Sequence, residues 1–258
     1  MNLVHSPLEM REIFHLEFLR WFGRKLGAEH YCLKGGVNLR FFFKSIRYSE
    51  DMDLDVQKTG IGRIQKAVMD ILLNKAFSDN LRSFGIRKII LPDMTKAKQT
   101  ETTQRFKVHL LTQSGEDLFT KVEFSRRGPK GLIKVESVYS EILRAYKMPP
   151  LLVPHYEAPS AIEQKIHALA HRSVLQARDI FDLFLLSSHY HKSQQEFLEI
   201  NGATLKTAHD NIFLVEFPQF RDTVAAYLGA GDQKIYSSPA VWDEIKLNVS
   251  RFLEEFSP

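Results

Sequence analysis

The sequence predicts an α+β fold: a mixed β-sheet domain flanked by helices over residues 1–147, then an α-helical domain over 148–258. Three observations carry this. Lys34 to Asp55 reads KGGVNLRFFFKSIRYSEDMDLD, a glycine pair opening an amphipathic segment and leading to a run where Asp51, Asp53 and Asp55 alternate with Met52 and Leu54. Further β-like runs follow up to about residue 138. A proline-rich break, Met148-Pro149-Pro150 to Pro159, then ends the β-rich half, and helical spacing takes over to the end.

The elements follow in order. Ser6-Pro7-Leu8-Glu9 is a helix start with a capping Ser, Pro at the first helical position and Glu three after the cap. Phe14, Phe18, Trp21, Phe22 and Leu26 recur at helical spacing, so this helix is expected to reach about Lys25, with Gly27 as its stop. Residues 30–34 read as a short strand, Gly35-Gly36 as a turn, Val37 to Phe43 as a helix, and Asp51 to Asp55 as a strand. Ile61 to Leu73 is amphipathic and helical. Ile86 to Leu91, Arg105 to Leu111 and Leu118 to Phe124 read as strands, the last two joined as a hairpin by the turn-forming residues 112–117. A strand-like piece near Ile133 to Val138 follows. In the second half, Ser160-Ala161-Ile162-Glu163 resembles a capped helix start. Helices are expected from there, over Ala177 to Leu186, and around 193–200, 203–210, 218–228 and 238–255.

The chain has 258 residues, 44% hydrophobic and 26% charged, with nineteen Phe, enough for a substantial core. Its net charge of +4 is compatible with an anionic partner without specifying nucleic acid. The single cysteine, Cys32, excludes an intrachain disulfide framework and reads as a small buried hydrophobe. No stretch has the length and apolarity of a membrane span and no signal-peptide core is evident, so a cytoplasmic protein is expected.

Alternate strand residues share a face, so Asp51, Asp53 and Asp55 line up on one side with Met52 and Leu54 on the other. Like charges gathered on one face call for a neutralising partner, and Mg²⁺ or Mn²⁺ meets that need through oxygen ligands. The glycine pair offers backbone N–H groups and a helix N-terminus to a phosphate. Asp51 and Asp53 are therefore the expected metal ligands. Asp55 is expected to be peripheral, because sheet twist carries it away. Glu123 shares a strand face with Lys121 and Ser125; beside the aspartate strand it would complete a carboxylate triad. Elsewhere it would be an exposed carboxylate paired with Lys121. Arg47 is expected to contact phosphate or pair with Glu50, Ser49 to cap the turn or reach the nucleotide, and Arg40 to support the glycine loop or face solvent. Arg126, Arg127 and Lys130 form a basic loop that would steer RNA or simply be solvated. By chemistry alone Lys165, Asp179 and Asp182 are ordinary surface charges on helices. His167 and His171 lack a companion ligand for zinc. No serine-hydrolase elbow, Walker A loop or dinucleotide fingerprint occurs.

Taken together, KGGxxLR, then RxSxDxD, then KIHAL, then RDxxDL, in that order over roughly residues 20–190, resemble the AbiEii/AbiGii group of nucleotidyltransferase toxins, related to MenT-type toxins and to the wider DNA polymerase β-like superfamily. The resemblance implies a nucleotidyltransferase-like fold and an enzyme that transfers a nucleoside monophosphate from an NTP to an acceptor, with RNA, at the tRNA 3′ end, as the favoured acceptor. It implies that Gly35 and Gly36 hold the triphosphate, that Asp51 and Asp53 ligate Mg²⁺ or Mn²⁺ with Glu123 as third acid, and that Lys165 contacts the nucleotide phosphates. Asp179, favoured over Asp182, would complete the site, with the helical domain closing the cleft. Arg40, Ser49 and Asp182 stand as further nucleotide-binding candidates. A separately encoded antitoxin and a role in phage defence come with the resemblance.

The mechanism expected is in-line attack of an acceptor hydroxyl on the α-phosphate with pyrophosphate leaving, Asp51 or Glu123 assisting deprotonation. Competing readings are protein nucleotidylation on Ser, Thr or Tyr, a nucleotide- or RNA-binding module without chemistry, and a glycosyltransferase of the D-x-D kind. The short spacing between the glycine pair and the aspartates favours nucleotidyl transfer over the last.

Overall fold

The computed structural model describes residues 5–191 and 200–256. The helix expected at 193–200 lies, but for residue 200, outside them. Two compact units are formed, one from residues 1–41 and 48–155, the other from 42–47 and 156–258.

In the first unit, helix α1 (Pro7–Lys25) starts on a capping box: Glu9 N–H donates to Ser6 Oγ and Ser6 N–H to Glu9 Oε2. Strand β1 (Tyr31–Lys34) leads directly into α2 (Gly35–Phe42). The two glycines are thus the first residues of the helix, where the sequence predicts a turn ahead of it. Strand β2 (Asp51–Val56) carries the alternating aspartates, and α3 (Ile61–Leu72) follows as expected. Helix α4 (Lys75–Arg82) was not anticipated from the sequence; its signal is Asn74, whose Oδ1 accepts from the N–H groups of Ala76 and Phe77. Strands β3 (Ile86–Ile90), β4 (Thr103–Thr112) and β5 (Asp117–Ser125) match the expected runs, the last two forming an antiparallel hairpin. Strand β6 (Ile133–Ser137), the short helix α5 (Ser140–Ala145) and strand β7 (Leu152–Tyr156) complete the unit.

Strand β7 corrects the sequence reading, which ends the β-rich half at Met148. Pro154 lies within it, yet β7 joins the sheet beside β1. The seven-stranded sheet has the order β3-β4-β5-β2-β1-β7-β6 and is mixed: β2 runs antiparallel to β1 and parallel to β5. Its inner face is built by alternation. Met52, Leu54, Phe106, Val108, Val122 and Phe124 are all fully buried, as are Ile13, Phe14, Phe18 and Phe22 of α1. Phe22 of α1 meets Phe124 of β5 at 5.3 Å, joining helix to sheet, and Phe124 meets Phe106 of the neighbouring β4 at 5.8 Å. Each such ring contributes about 1.5–3 kcal/mol by leaving water. The pleat sends Asp51, Asp53, Lys121, Glu123 and Arg105 to the opposite face.

The second unit is helical. Helix α6 (Ala158–His171) starts two residues before Ser160, the expected cap; Glu157 holds that position, with Pro159 in the first turn. Helix α7 (Ala177–Ser187), α8 (Gly202–Ile212), α9 (Phe217–Thr223) and α11 (Pro239–Glu254) answer to the sequence pattern, whereas the short α10 (Ala230–Ile235) does not. Phe220 stacks on Trp242 at 4.4 Å, and Trp242 Nε1 donates to Val215 O, so the indole is buried with its polar atom satisfied. Among the described residues no helix is long and apolar enough to cross a membrane.

Candidate active site

The site in the first unit starts from the register of β2. Asp51 lies across from Lys121 of β5, and Asp53 lies between Lys34 of β1 and Glu123 of β5. The start of α2, the aspartate strand and Glu123 are therefore neighbours: β2 pairs with β5 at Asp53 and Glu123, and Gly35 follows directly on Lys34, the β1 partner of Asp53. Gly35 begins α2 with φ of +69°, and a Cβ there would stand 2.9 Å from Asp53 Oδ2. Both facts demand glycine: the backbone is left-handed, and the carboxylate occupies the space a side chain would take.

The charges on this face are arranged in pairs. Lys121 Nζ lies 2.9 Å from Asp51 Oδ2 and 3.8 Å from Glu123 Oε2. Arg105 Nε donates to Glu123 Oε2 at 2.7 Å. Lys34 Nζ holds Asp55 Oδ1 at 2.6 Å, which leaves Asp55 buried and engaged in the fold. Two oxygen groups stand apart from this pairing. Asp51 Oδ1 is buried with no hydrogen-bond partner, and Asp53 has no ion pair among the described residues. Burial first, and then the charge of Glu123, raise the Asp53 pKa above its ordinary value, against the lowering pull of Lys121 and Lys34.

A divalent cation would suit part of this face. Among the described residues no group of three or more His, Cys, Asp or Glu side chains is gathered closely enough to hold a metal ion. Glu123 is turned to Arg105 and Lys121. Asp51 and Asp53 do fit: an orphaned buried oxygen and a destabilised carboxylate are what a hard cation relieves, and Mg²⁺ is commonly held by one or two carboxylates together with substrate phosphates and water.

The flanking candidates have other partners. Arg40 gives its guanidinium to the buried Glu12, at 2.9 Å from Oε2, and stacks over the Tyr48 ring at 4.2 Å. It thereby ties α2 to α1. Ser49 Oγ donates to Asp51 O at 2.8 Å, the turn-capping role among those expected. Glu50 lies 3.6 Å from Arg11. Arg126 donates to Thr59 O and Gln104 Oε1, so its charge supports the strand ends.

In the second unit, Lys165, Asp179 and Asp182 are not surface charges. Both carboxylates are fully buried on α7. Lys165 Nζ bridges them, at 3.0 Å from Asp179 Oδ1 and 2.6 Å from Asp182 Oδ2. Arg47 Nη2 donates to both oxygens of Asp182, at 3.0 and 3.1 Å. Arg172 Nε lies 2.8 Å from Asp179 Oδ2, an ion pair without hydrogen-bond geometry. Burial opposes charge on Asp182, but Arg47 and Lys165 outweigh it and hold its pKa below the ordinary value. Burial likewise opposes the Lys165 charge, and Asp182 and Asp179 overcome it and raise its pKa. Arg47, Lys165 and Arg172 thus converge on the two buried carboxylates.

The sequence pattern gives no role to Arg105 and none to Lys34 beyond its place in the motif; the Lys121–Glu123 pairing that it offered as an alternative is present at 3.8 Å, but Asp51, at 2.9 Å, is the nearer partner of Lys121. Strand alternation places Lys121 on the correct face, but only the register names its partner. The signal for Asp179 and Asp182 lay in their i, i+3 spacing beside apolar neighbours, which fits an inward helix face as well as an outward one.

A family model described as the nucleotidyl transferase AbiEii toxin of type IV toxin–antitoxin systems matches residues 17–240. Among solved structures, a candidate nucleotidyltransferase from H. pylori is 22% identical with a TM-score of 0.53, covering 95% of this chain and 93% of that one. JHP933 from Helicobacter pylori is 22% identical with a TM-score of 0.51, covering 95% and 90%. MenT4, a nucleotidyltransferase toxin from Mycobacterium tuberculosis, is 14% identical with a TM-score of 0.61, covering 99% and 88%. At these identities the likeness is one of fold. No curated protein matches the chain.

Proposed function

The chain belongs to the AbiEii nucleotidyl transferase toxin family of type IV toxin–antitoxin systems, and from that premise we propose that it transfers a nucleoside monophosphate from an NTP to RNA, at the tRNA 3′ end. The observation that supports this most is the contact of Gly35 with Asp53, which sets a helix N-terminus against the aspartate strand. The N–H groups at the start of α2 bind the triphosphate, since they have no partner within the helix. Asp51 and Asp53 hold Mg²⁺ or Mn²⁺. When bound there, the cation supplies charge neutralisation for the attacking and leaving oxygens of an in-line displacement.

The remaining roles fall to the chain's own groups. Proton transfer from the acceptor hydroxyl is assigned to Asp51 or Glu123, which flank Asp53 on the same sheet face. Lys165 is assigned to the nucleotide phosphates, and the raised pKa that keeps its ammonium charged supports that role. Asp179 and Asp182 position the Lys165 ammonium. A cytoplasmic site of action, a separately encoded antitoxin and a function in phage defence accompany the proposal.

The test is incubation of the purified chain with each α-labelled NTP and Mg²⁺ in a cell lysate, followed by RNase or protease. Label lost to RNase and mapped to the tRNA 3′ end supports the reading. Label lost only to protease replaces it with protein nucleotidylation. Absence of both label and pyrophosphate release leaves a binding module.

A further inference from the structure

Lys121, on the strand next to β2, makes an ion pair with a proposed metal ligand. Its ammonium lies 2.9 Å from Asp51 Oδ2 and 3.8 Å from Glu123 Oε2. On its other side the β4–β5 register sets Lys107 directly opposite, a like charge across the strand pair. Asp51 draws the ammonium toward β2 and Lys107 repels it from β4. The result is a positive charge held against the carboxylate oxygen set that a divalent cation would use. Lysine suits this place: its charge is compact, and a flexible four-carbon stem lets it leave.

We infer that Lys121 is a built-in counter-cation of the Asp51–Asp53 site, one that a divalent cation must displace to bind, so that Lys121 sets the metal affinity of the site. The inference rests on the proposed metal-binding role of Asp51 and Asp53. A divalent ion on Asp51 Oδ1 would stand only one carboxylate away from the ammonium on Oδ2, where the two cations repel strongly. Once displaced, the Lys121 ammonium faces Lys107, and the pair of cations is then relieved by an anion. The phosphate groups of the nucleotide or of the acceptor are such anions. Metal and polyanion are thereby linked through one side chain: each favours the arrangement that the other requires.

The experiment measures Mn²⁺ binding by calorimetry and by the electron paramagnetic resonance of the free ion, in the full chain without nucleotide. Lys121→Met is expected to bind Mn²⁺ roughly tenfold more tightly than the wild type, the direction set by removal of a competing charge. Lys121→Gln, which keeps a polar group and serves if the Met variant folds poorly, shows the same direction. Lys121→Arg, which keeps the charge, stays near the wild-type affinity. Unchanged or weaker binding in the Met and Gln variants overturns the inference, as does tightening by Arg equal to that by Met. Asp53→Asn separates the two levels. If it abolishes Mn²⁺ binding while the Lys121 variants do nothing, the inference fails and the metal site stands. If it binds Mn²⁺ as the wild type does, the cation lies elsewhere and both fail.

Discussion

A Cβ placed on Gly35 would come within 2.9 Å of Asp53 Oδ2, at a residue whose φ is +69°. The start of α2 and the middle of β2 are therefore in contact through backbone on one side and carboxylate on the other. Gly35→Ala meets both obstacles. The left-handed backbone alone costs a non-glycine residue about 1–3 kcal/mol. The variant is expected to melt several degrees lower and, because Asp53 must move aside, to lose most NTP-dependent labelling. Full labelling by a stable Gly35→Ala chain would show that the close approach has no part in activity.

Asp53→Asn separates function from stability. Burial and Glu123 raise the Asp53 pKa, so the folded state favours the protonated carboxyl, and the charge is a burden on folding above that pKa. Asparagine removes the burden along with the metal ligand. Labelling should fall by roughly a hundredfold or more. The melting temperature measured at pH 7 with a chelator should hold steady or rise. A marked drop in melting temperature would contradict the account of Asp53 as a destabilised carboxylate.

Asp182→Ala should behave in the opposite way. The residue is fully buried and its carboxylate receives Arg47 and Lys165. Leaving those cations without it costs about 3–5 kcal/mol. The pKa of Asp182 is depressed from its ordinary 3.8, so its stabilisation is complete above that value and is lost as the pH falls through the lower folded-state pKa. Urea unfolding followed from pH 7 to pH 2 should show this acid-side loss in the wild type and a smaller one in Asp182→Ala. A variant as stable as the wild type at pH 7 would rule out the ion cluster as a structural element.

His15 supplies a second pH signature. It is buried on α1, its Nε2 3.0 Å from Thr120 Oγ1, and Thr120 in turn donates to Glu50 O just ahead of β2. Since the hydroxyl hydrogen goes to Glu50, the imidazole is the donor to Thr120. Burial, aided by Arg11, lowers the His15 pKa from 6.5 to about 3. The unfolded chain takes up a proton below pH 6.5 that the folded chain refuses, so stability declines as the pH falls from there toward 3. His15→Asn should flatten that part of the stability profile. Identical slopes in the two proteins would contradict it.

Much of the fold was legible in local periodicity. Ser6 to Lys25, the aspartate strand, the β4–β5 hairpin and the α7 helix follow from capping, alternation and helical spacing, which involve only near neighbours in the chain. Helix α4 and strand β7 did not, the first because it is short and the second because Pro149, Pro150 and Pro154 mask it. The candidate site was legible to the same depth: alternation put Asp51 and Asp53 on one face, while the burial of Asp179 and Asp182 left no mark beyond a spacing that surface helices share.

By itself, then, the sequence determined the residue types and the periodicity that orders them: a glycine pair between a strand and a helical run, two aspartates on one side of a strand, and a lysine and paired acids on later helices. Tertiary structure alone decided their partners. Lys121 meets Asp51, Lys34 meets Asp55, Arg105 meets Glu123 and Arg47 meets Asp182 because strand register and helix packing bring together residues far apart in the chain. The physical reason is that backbone periodicity is set locally by sterics and hydrogen bonding, whereas the state of a charge depends on the neighbours and the burial that only the folded chain supplies.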